Sequence, residues 1–175
     1  MVKIGRPHLY SARAGKKKRK GPDTMEPEVH NRRARHDYEI TDTLECGIVL
    51  LGTEVKSVRA GRMSLAEGYV RATEQPLKLE LHNVHIDEYA PAGPSRQHRP
   101  TQSRTLLAHK REIRKLARAS QEKGVTIVPL KAYFKNGHLK VLVGLGRGKR
   151  TYDKRQAIKR REQDRDLRRA MSQRV

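Results

Sequence analysis

The side chains best suited to a chemical task lie near the C-terminal end of the chain, where Tyr152 is followed by Asp153, Lys154 and Arg155. An aromatic ring can stack on a nucleobase while the neighbouring cations hold phosphates. A simpler interpretation is that Tyr152 packs on the folded body, because aromatic side chains often do. The group therefore indicates a nucleic-acid contact, with ordinary packing as the alternative.

The segment that contains these residues, 147–175, carries twelve Lys or Arg and four Asp or Glu, a net charge of +8. Asp153 and Gln156 have the spacing of a helix-capping pair, and Asp164 and Arg168 have a helix-supporting spacing. The segment has too few apolar residues to order itself by burial. We expect a tail that is loose alone and helical against a polyanion, or else a solvated, frayed terminus.

Other candidate chemistry is weak. His82 and His85 are three residues apart, but no Cys or carboxylate cluster accompanies them at zinc-site spacing. The glycine-rich run 144–148 is followed by basic residues and not by the Lys-Ser/Thr and helix of a Walker loop, so a hinge is the better interpretation. No nucleophile motif is present. The sequence predicts a protein that is not an enzyme and that holds no metal or cofactor.

Basic residues are in excess along the whole chain, whose net charge is +21. The excess is +5 in residues 1–30, +8 in 31–146 and +8 in 147–175. Nucleic acid is the leading partner, because phosphate contacts gain affinity through counterion release. A membrane surface is the weaker candidate, since no stretch approaches the roughly 20 apolar residues that span a bilayer.

The N-terminal residues 1–30 hold the basic cluster 16–20 between glycines and prolines. We predict a disordered basic arm that either threads along RNA or only solubilises the protein. No apolar stretch typical of a secretory signal is seen, so we expect a cytoplasmic protein. Cys46 is the single cysteine, lies in an apolar run and is predicted to be a small core residue.

Residues 31–146 have the patterning of a folded body. Alternating apolar residues predict a strand face made of Leu44, Cys46, Ile48 and Leu50. Glu45 lies on the opposite face. Short strands are also predicted at 38–40, 68–73 and 77–82, and a change of phase predicts a bulge near His82 or Asn83. Helical turns are predicted at 52–59, closed by Gly61, and at 113–120, closed by Gly124.

The strongest local signal is a hairpin of residues 125–134 and 139–145 around Asn136-Gly137, a pair that favours a type I′ turn. Pro129 lacks an N–H and is predicted to lie at an edge or bulge. About six short strands with two helical insertions favour a mainly β protein, an OB-fold-like antiparallel barrel with flanking helices. An open α+β sheet with a helix packed on it is the alternative.

Lys140 and Leu142 are predicted to point away from the core of this hairpin. An outward Lys140 among charged loops is suited to RNA. Phe134 is the only phenylalanine and tryptophan is absent, so a platform that stacks several bases is poorly supplied. These features favour recognition of the shape and backbone of a folded RNA.

Five blocks, in this order, resemble the SmpB family, the bacterial tmRNA-binding proteins of trans-translation. They are 31–38 (NRRARHDY), 52–61 (GTEVKSVRAG), 109–113 (HKREI), 133–137 (YFKNG) and 152–155 (YDKR). The likeness runs from about residue 31 to the C-terminus. Residues 1–30 lie outside it and are longer than the short N-terminus usual in the family.

The resemblance implies an OB-fold body at 31–146 and a flexible tail at 147–175. It implies that the body binds the tRNA-like domain of tmRNA around its D-loop and elbow and stands in for the missing anticodon arm. The RNA would be alanylated by alanyl-tRNA synthetase and carried with elongation factor Tu to the A site of a stalled ribosome. The tail would fold as a helix in the empty mRNA channel.

The resemblance also implies roles for particular residues. Glu45, Leu107 and Lys140 match the tmRNA-binding positions of the family. For Glu45 the physical role is open: it accepts hydrogen bonds from a base edge, orients a neighbouring arginine, or makes a structural hydrogen bond. The positions that match the decoding-centre and mRNA-channel segment are Gly148, Tyr152, Asp153, Lys154 and Arg155. Many members have His in place of Tyr152, so a protonation role is not expected there.

Two other functions share these features. A structural ribosomal protein would have the same charge and the same loose ends, and it is distinguished by its lack of affinity for free tmRNA. A nuclease or RNA-modifying enzyme would cleave or modify the RNA it binds.

Overall fold

The computed structural model describes residues 27–149, which form a mainly β structure with three α-helices. The strands are β1 Val29–His30, β2 Tyr38–Ile48, β3 Met63–Ser64, β4 Tyr69–Glu74, β5 Leu77–His82, β6 His85–Ile86, β7 Arg104–Leu107, β8 Val125–Lys135 and β9 His138–Gly148. The helices are α1 Arg32–Asp37, α2 Gly52–Arg59 and α3 Lys110–Ala119. Two short 3₁₀ turns, Ala90–Ala92 and Pro94–Arg96, lie between β6 and β7.

Seven strands form one antiparallel sheet in the order β1-β8-β4-β5-β7-β2-β9, and β3 pairs with β6 in a separate ribbon. Strand β8 pairs with β9 along one edge. Its other edge is divided between β4, at Ile127, and β1, at Lys131 and Ala132. The predicted mainly β class with a few helices is confirmed, whereas closure of the sheet into an OB-type barrel stays a prediction.

The predicted hairpin is confirmed. Lys135 pairs with His138, so Asn136 and Gly137 form a two-residue turn. Both have positive φ, 53° and 76°, as a type I′ turn requires. The register shifts between Pro129 and Lys131, which confirms the predicted irregularity at Pro129.

Two strand boundaries were predicted wrongly. Residues 38–40 and 44–48 belong to the single strand β2, which contains a register shift between Ile40 and Asp42 in its pairing with β9. Leu50 lies beyond that strand. The predicted bulge near His82 is a break, because Asn83 adopts φ 53° and the chain then turns into β6, which pairs with β3.

The missed elements include β1, α1, β3 and β7. Helix α1 contains one buried residue, Ala34, and is held by its N-cap Asn31. The Asn31 Oδ1 accepts from the Ala34 N–H at 3.1 Å, and its Nδ2 donates to the carbonyls of Leu65 and Pro129 at 2.8 and 3.0 Å. A cap that also bonds to the sheet explains how so polar a helix is anchored.

The described body is slightly longer than the predicted range 31–146. Strand β1 lies inside the predicted arm 1–30, and β9 runs two residues past 146. The predicted disorder of the arm and helicity of the tail concern residues 1–26 and 150–175, which lie outside the described residues.

The core lies between the inner face of the sheet and helix α3, whose Ile113, Leu116 and Ala117 are buried. Cys46 is fully buried, as predicted, and burial raises the pKa of its thiol to about 12 because the thiolate would lose its solvation. Leu139, Val141 and Val143 alternate into the same core.

A buried ion pair joins α2 to the start of β7. Arg104 Nε donates to Glu54 Oε1 at 2.8 Å, and both side chains are 1% exposed. The Arg104 guanidinium also donates to the carbonyls of Val84 and Pro100 at 2.7 and 2.9 Å. Gln102 donates to the same Glu54 oxygen at 2.8 Å. The pair fixes α2 and the 84–104 connection against the strand that carries Leu107.

Candidate nucleic-acid interface

Three predicted site residues, Glu45, Leu107 and Lys140, lie on the outer face of three adjoining strands. Lys140 of β9 is opposite Gly47 of β2, and Gly47 is in turn opposite Leu107 of β7. Lys140 stands between the buried Leu139 and Val141, so strand alternation turns it outward. Leu107 is 55% exposed. Alternation thus turns Lys140 outward, and the registers of the strand pairs bring it to one surface with Leu107 and Glu45.

The same row continues into β8, where Tyr133 is opposite Lys140. We call this row the outer strip: Tyr133, Lys140, Gly47 and Leu107, one residue from each of four strands. Glu45 lies two residues from Gly47 on the same face of β2. Along this line the strip presents the phenol of Tyr133, the ammonium group of Lys140, the backbone of Gly47 and the apolar side chain of Leu107.

Glu45 is occupied by neighbours within the protein. The Tyr133 hydroxyl donates to Glu45 Oε2, and Lys135 Nζ lies 3.1 Å from both carboxylate oxygens. The Tyr133 hydrogen bond and then Lys135 lower the pKa of Glu45. The same carboxylate raises the pKa of Tyr133 to about 12, since it favours the neutral phenol that donates.

These contacts favour one of the three roles considered for Glu45, the structural hydrogen bond. The cation beside it is Lys135, whereas an arginine was hypothesised. Glu45 holds the Tyr133 ring and the Lys135 ammonium group in place next to Lys140. It therefore shapes a basic surface without needing to contact phosphate.

Tyr133, Lys131, Lys135 and Gly47 were missed as members of this surface. The Lys131 ammonium lies 4.5 Å from the centre of the Tyr133 ring and 2.7 Å from a Glu28 carboxylate oxygen. A signal was present, because the Asn136-Gly137 turn sets the hairpin register that places Tyr133 opposite Lys140. The contact with Glu45 comes from a third strand and has no local signal.

A groove of about 330 Å³ borders the strip. Gly47, Leu107 and Lys140 form part of its lining. Its other lining residues are mostly apolar: Ile48, Leu50, Val55, Phe134, Gly137, His138 and Leu139. The groove is thus apolar with a cation at one side.

The outer face of α3 is also basic and exposed. Part of its charge is compensated, because Lys115 Nζ lies 2.6 Å from Asp42 and Arg118 Nε 2.9 Å from Glu74. The hydrogen bond from Lys115 lowers the pKa of Asp42, and Asp42 in return raises that of Lys115.

Gly148 closes β9 opposite Tyr38, apart from the outer strip. The next residue, Lys149, donates from its N–H to Asp37 O at 2.9 Å and from Nζ to Arg35 O at 3.0 Å. The chain is therefore held to α1 up to Lys149. The other predicted decoding-centre residues, Tyr152, Asp153, Lys154 and Arg155, lie outside the described residues.

The glycine-rich run is not a simple hinge. A Cβ on Gly144 would lie 2.9 Å from Leu130 Cδ1, and one on Gly146 would lie 2.9 Å from Tyr38 Cβ. Both glycines are paired within β9 and are needed for close packing. The predicted hinge role is wrong for these two positions.

The two histidines that suggested a metal have ordinary neighbours. His82 stacks on Tyr69 with ring centres 5.2 Å apart, and His85 Nδ1 lies 3.1 Å from Asp87. Among residues 27–149, no group of three His, Cys, Asp or Glu side chains is arranged to hold a metal ion. The helices of this range are all too short or too polar to cross a membrane.

Comparison with known proteins decides the family. The family model described as "SmpB protein" matches residues 28–173. The chain belongs to the SmpB family. The match begins just before β1 and extends through every described element of this SmpB-family protein.

Relatives of this SmpB-family protein are similar over most of its length. The "SsrA-binding protein" of Thermosynechococcus vestitus is 50% identical over 152 residues, which cover 87% of this chain and 99% of the relative. That of Lactobacillus delbrueckii subsp. bulgaricus is 56% identical over 141 residues, covering 81% and 90%. A chain of the solved structure "tmRNA-SmpB: a journey to the center of the bacterial ribosome" is 46% identical, with a TM-score of 0.60, and the likeness covers 75% of this chain and 94% of that one.

Proposed function

We propose that this SmpB-family protein binds the tRNA-like domain of tmRNA, around its D-loop and elbow, and delivers it to the A site of stalled ribosomes. Ribosome rescue and tagging of the nascent peptide for degradation would follow. The observation that carries the proposal is the outer strip, where Lys140 and Leu107 are brought together beside Glu45. Similarity to SsrA-binding proteins and to an SmpB chain solved with tmRNA supports it.

The chemistry of the strip suits a folded RNA. The ammonium groups of Lys140 and Lys135 attract phosphates, and the exposed Leu107 offers an apolar contact for a sugar or an unpaired base. Glu45 acts as the positioning residue that holds Lys135 and Tyr133. The net charge of the chain, +21, attracts any RNA at long range, whatever its sequence or fold. Discrimination between RNAs comes from the fixed spacing of the strip.

The body is proposed to be an OB-type barrel that takes the place of the anticodon arm missing from tmRNA. Support comes from the strand pairings, which pass from β8 through β4, β5, β7 and β2 to β9, and from β9 to β8 again. A barrel of this kind would present the outer strip on its outer surface.

The tail is proposed to enter the empty mRNA channel and to fold there as a helix, with Gly148, Tyr152, Asp153, Lys154 and Arg155 at the decoding centre. Support comes from its charge of +8 and from the family match, which extends to residue 173. Coupled folding is expected of a segment that cannot bury enough of itself when alone. Elongation factor Tu and alanyl-tRNA synthetase are indirect partners, the protein works in the cytoplasm as an adaptor, and no cofactor is required.

Replacing Lys140 by Ala tests the proposed site. If the ammonium makes a charge-assisted phosphate contact, affinity for the tRNA-like domain falls by roughly 1–3 kcal/mol, or about 5- to 150-fold. Lys115→Ala is the matched control, because it removes one exposed lysine that already pairs with Asp42. Equal losses in the two variants would show that overall charge, and not the strip, binds the RNA.

The two alternative functions are tested with the same materials. A structural ribosomal protein would bind free tmRNA no better than other RNAs, so selective binding without ribosomes argues against it. Incubation of the pure protein with tmRNA, followed by gel and mass analysis, tests the enzyme alternative. Cleavage or modification of the RNA would refute the adaptor role.

A further inference from the structure

The outer strip contains a gap at Gly47 that the fold itself does not require. A Cβ built there would lie 3.4 Å from Leu107 Cβ and 3.7 Å from its Cδ1, which are ordinary contact distances. Its backbone is not in the left-handed region, so any residue can adopt it. Glycine inside a strand lowers stability because it loses more conformational freedom on folding. Gly47 therefore lowers the stability of the isolated protein without improving its packing.

Gly144 is the natural contrast within the same sheet. A Cβ there would lie 2.9 Å from Leu130 and 3.0 Å from Ile40, so close packing explains why a side chain is absent. No such neighbour surrounds Gly47. Its backbone is half-buried at the edge of the groove, between Lys140 on one neighbouring strand and the exposed Leu107 on the other.

We propose that Gly47 is the floor of a subsite for one unpaired nucleotide of the bound RNA. The phosphate of this nucleotide faces Lys140, and its sugar or base lies against the Gly47 backbone and Leu107. A nucleotide has this same division, an anionic group on one side and an apolar face on the other. The groove, at about 330 Å³, offers space beside the strip for the base. The inference rests on the proposed function and deepens it.

The subsite recognises the shape of the nucleotide and not its hydrogen-bonding groups. Strand β2 pairs with β9 on one side and β7 on the other at this position, so Gly47 provides contact surface and no free row of hydrogen-bond groups. An added methyl group would therefore act by steric exclusion alone. This distinguishes Gly47 from Lys140, whose loss also removes a phosphate contact and the counterion release that accompanies it.

The test is Gly47→Ala in the full chain, measured by titration with the tRNA-like domain of tmRNA at several salt concentrations. We expect a melting temperature no lower than wild type, because a strand glycine is removed without a clash. Affinity should fall about tenfold, the size of effect typical of a one-methyl overlap in a packed contact. The slope of log affinity against log salt should stay unchanged, whereas Lys140→Ala should reduce it by about one.

Gly52→Ala is the matched control, because a Cβ at Gly52 has no neighbour within 4 Å, so this change is likewise free of a clash, and the position lies outside the strip. It should bind RNA like wild type. Wild-type affinity in Gly47→Ala, or an equal loss in Gly52→Ala, would overturn the subsite. A lowered melting temperature of Gly47→Ala would overturn the claim that the fold does not need this glycine.

The outcomes also separate the inference from the function on which it rests. If Lys140→Ala weakens binding and Gly47→Ala does not, the subsite is refuted and the proposed function stands. If the wild-type protein shows no preference for tmRNA, both are refuted.

Discussion

The buried pair between Glu54 and Arg104 should be far more important for stability than a surface pair of the same geometry. Arg104 Nε lies 2.8 Å from Glu54 Oε1, with both side chains 1% exposed. Arg118 Nε lies 2.9 Å from Glu74 Oε1, with side chains 74% and 36% exposed. The two pairs thus have nearly equal length and differ in burial, so the chain provides its own control.

The expected magnitudes follow from burial. Arg104→Met keeps most of the side-chain volume but leaves the buried Glu54 charge without its cationic partner and removes the guanidinium donor to the carbonyls of Val84 and Pro100. Removing one partner of a buried pair costs roughly 3–5 kcal/mol. An exposed pair contributes about 0–1 kcal/mol, so Arg118→Met should be close to neutral. Native domains are stable by only about 5–15 kcal/mol, so the first loss is a large fraction of the total.

The assay is urea unfolding of both variants and the wild type, followed by far-UV circular dichroism. We expect the unfolding midpoint of Arg104→Met to fall steeply, with the dependence on denaturant unchanged. Losses of similar size in the two variants would refute the reasoning, because burial would then not set the energy of the pair. A destabilised α2–β7 junction should also lower the temperature up to which the protein binds RNA.

Two further predictions concern the tail and Glu45. Deleting residues 150–175 leaves β9 whole. It should keep affinity for free tmRNA largely intact and abolish tagging on stalled ribosomes in a reconstituted translation assay. Loss of tmRNA affinity would contradict the assignment of RNA binding to the body and of ribosome engagement to the tail. Glu45→Gln should lower the pKa of Tyr133 from about 12 toward the ordinary tyrosine value, because the carboxylate that favours the neutral phenol is gone. The ring signals of Tyr133, followed by NMR between pH 8 and 13, report this directly, and an unchanged pKa would show that Glu45 is not its cause.

The parts of the fold that the sequence predicted are those with a local signal. The Asn136-Gly137 turn specifies its own hairpin, and period-two alternation places Cys46 in the core and Lys140 on the surface. Lys140 was therefore placed correctly before any tertiary contact was known.

The missed parts depend on partners that are distant in the sequence. Strand β7 is only four residues long and begins with Arg104, which looks like a surface residue until Glu54, fifty positions earlier, is seen beside it. Helix α1 has no apolar stripe and depends on Asn31, which bonds to Leu65 and Pro129. No local pattern could indicate these contacts.

The candidate site, too, was predictable only where the signal is local in the sequence. Outward exposure of individual residues was predictable, but the row that joins Tyr133, Lys140, Gly47 and Leu107 needs the registers of three strand pairs. The sequence alone gives no reason to assign a role to Gly47. A glycine that forms no turn and relieves no clash can be interpreted only when its neighbours in the structure are known.

The measurement that tests the central claim most directly is a titration of the full-length protein with the tRNA-like domain of tmRNA, with ordinary tRNA as competitor, at two salt concentrations. The account predicts a preference for the tmRNA domain that persists as salt rises, because the fixed outer strip recognises shape. Equal binding of both RNAs that collapses at high salt would contradict it, since charge alone would then explain the binding.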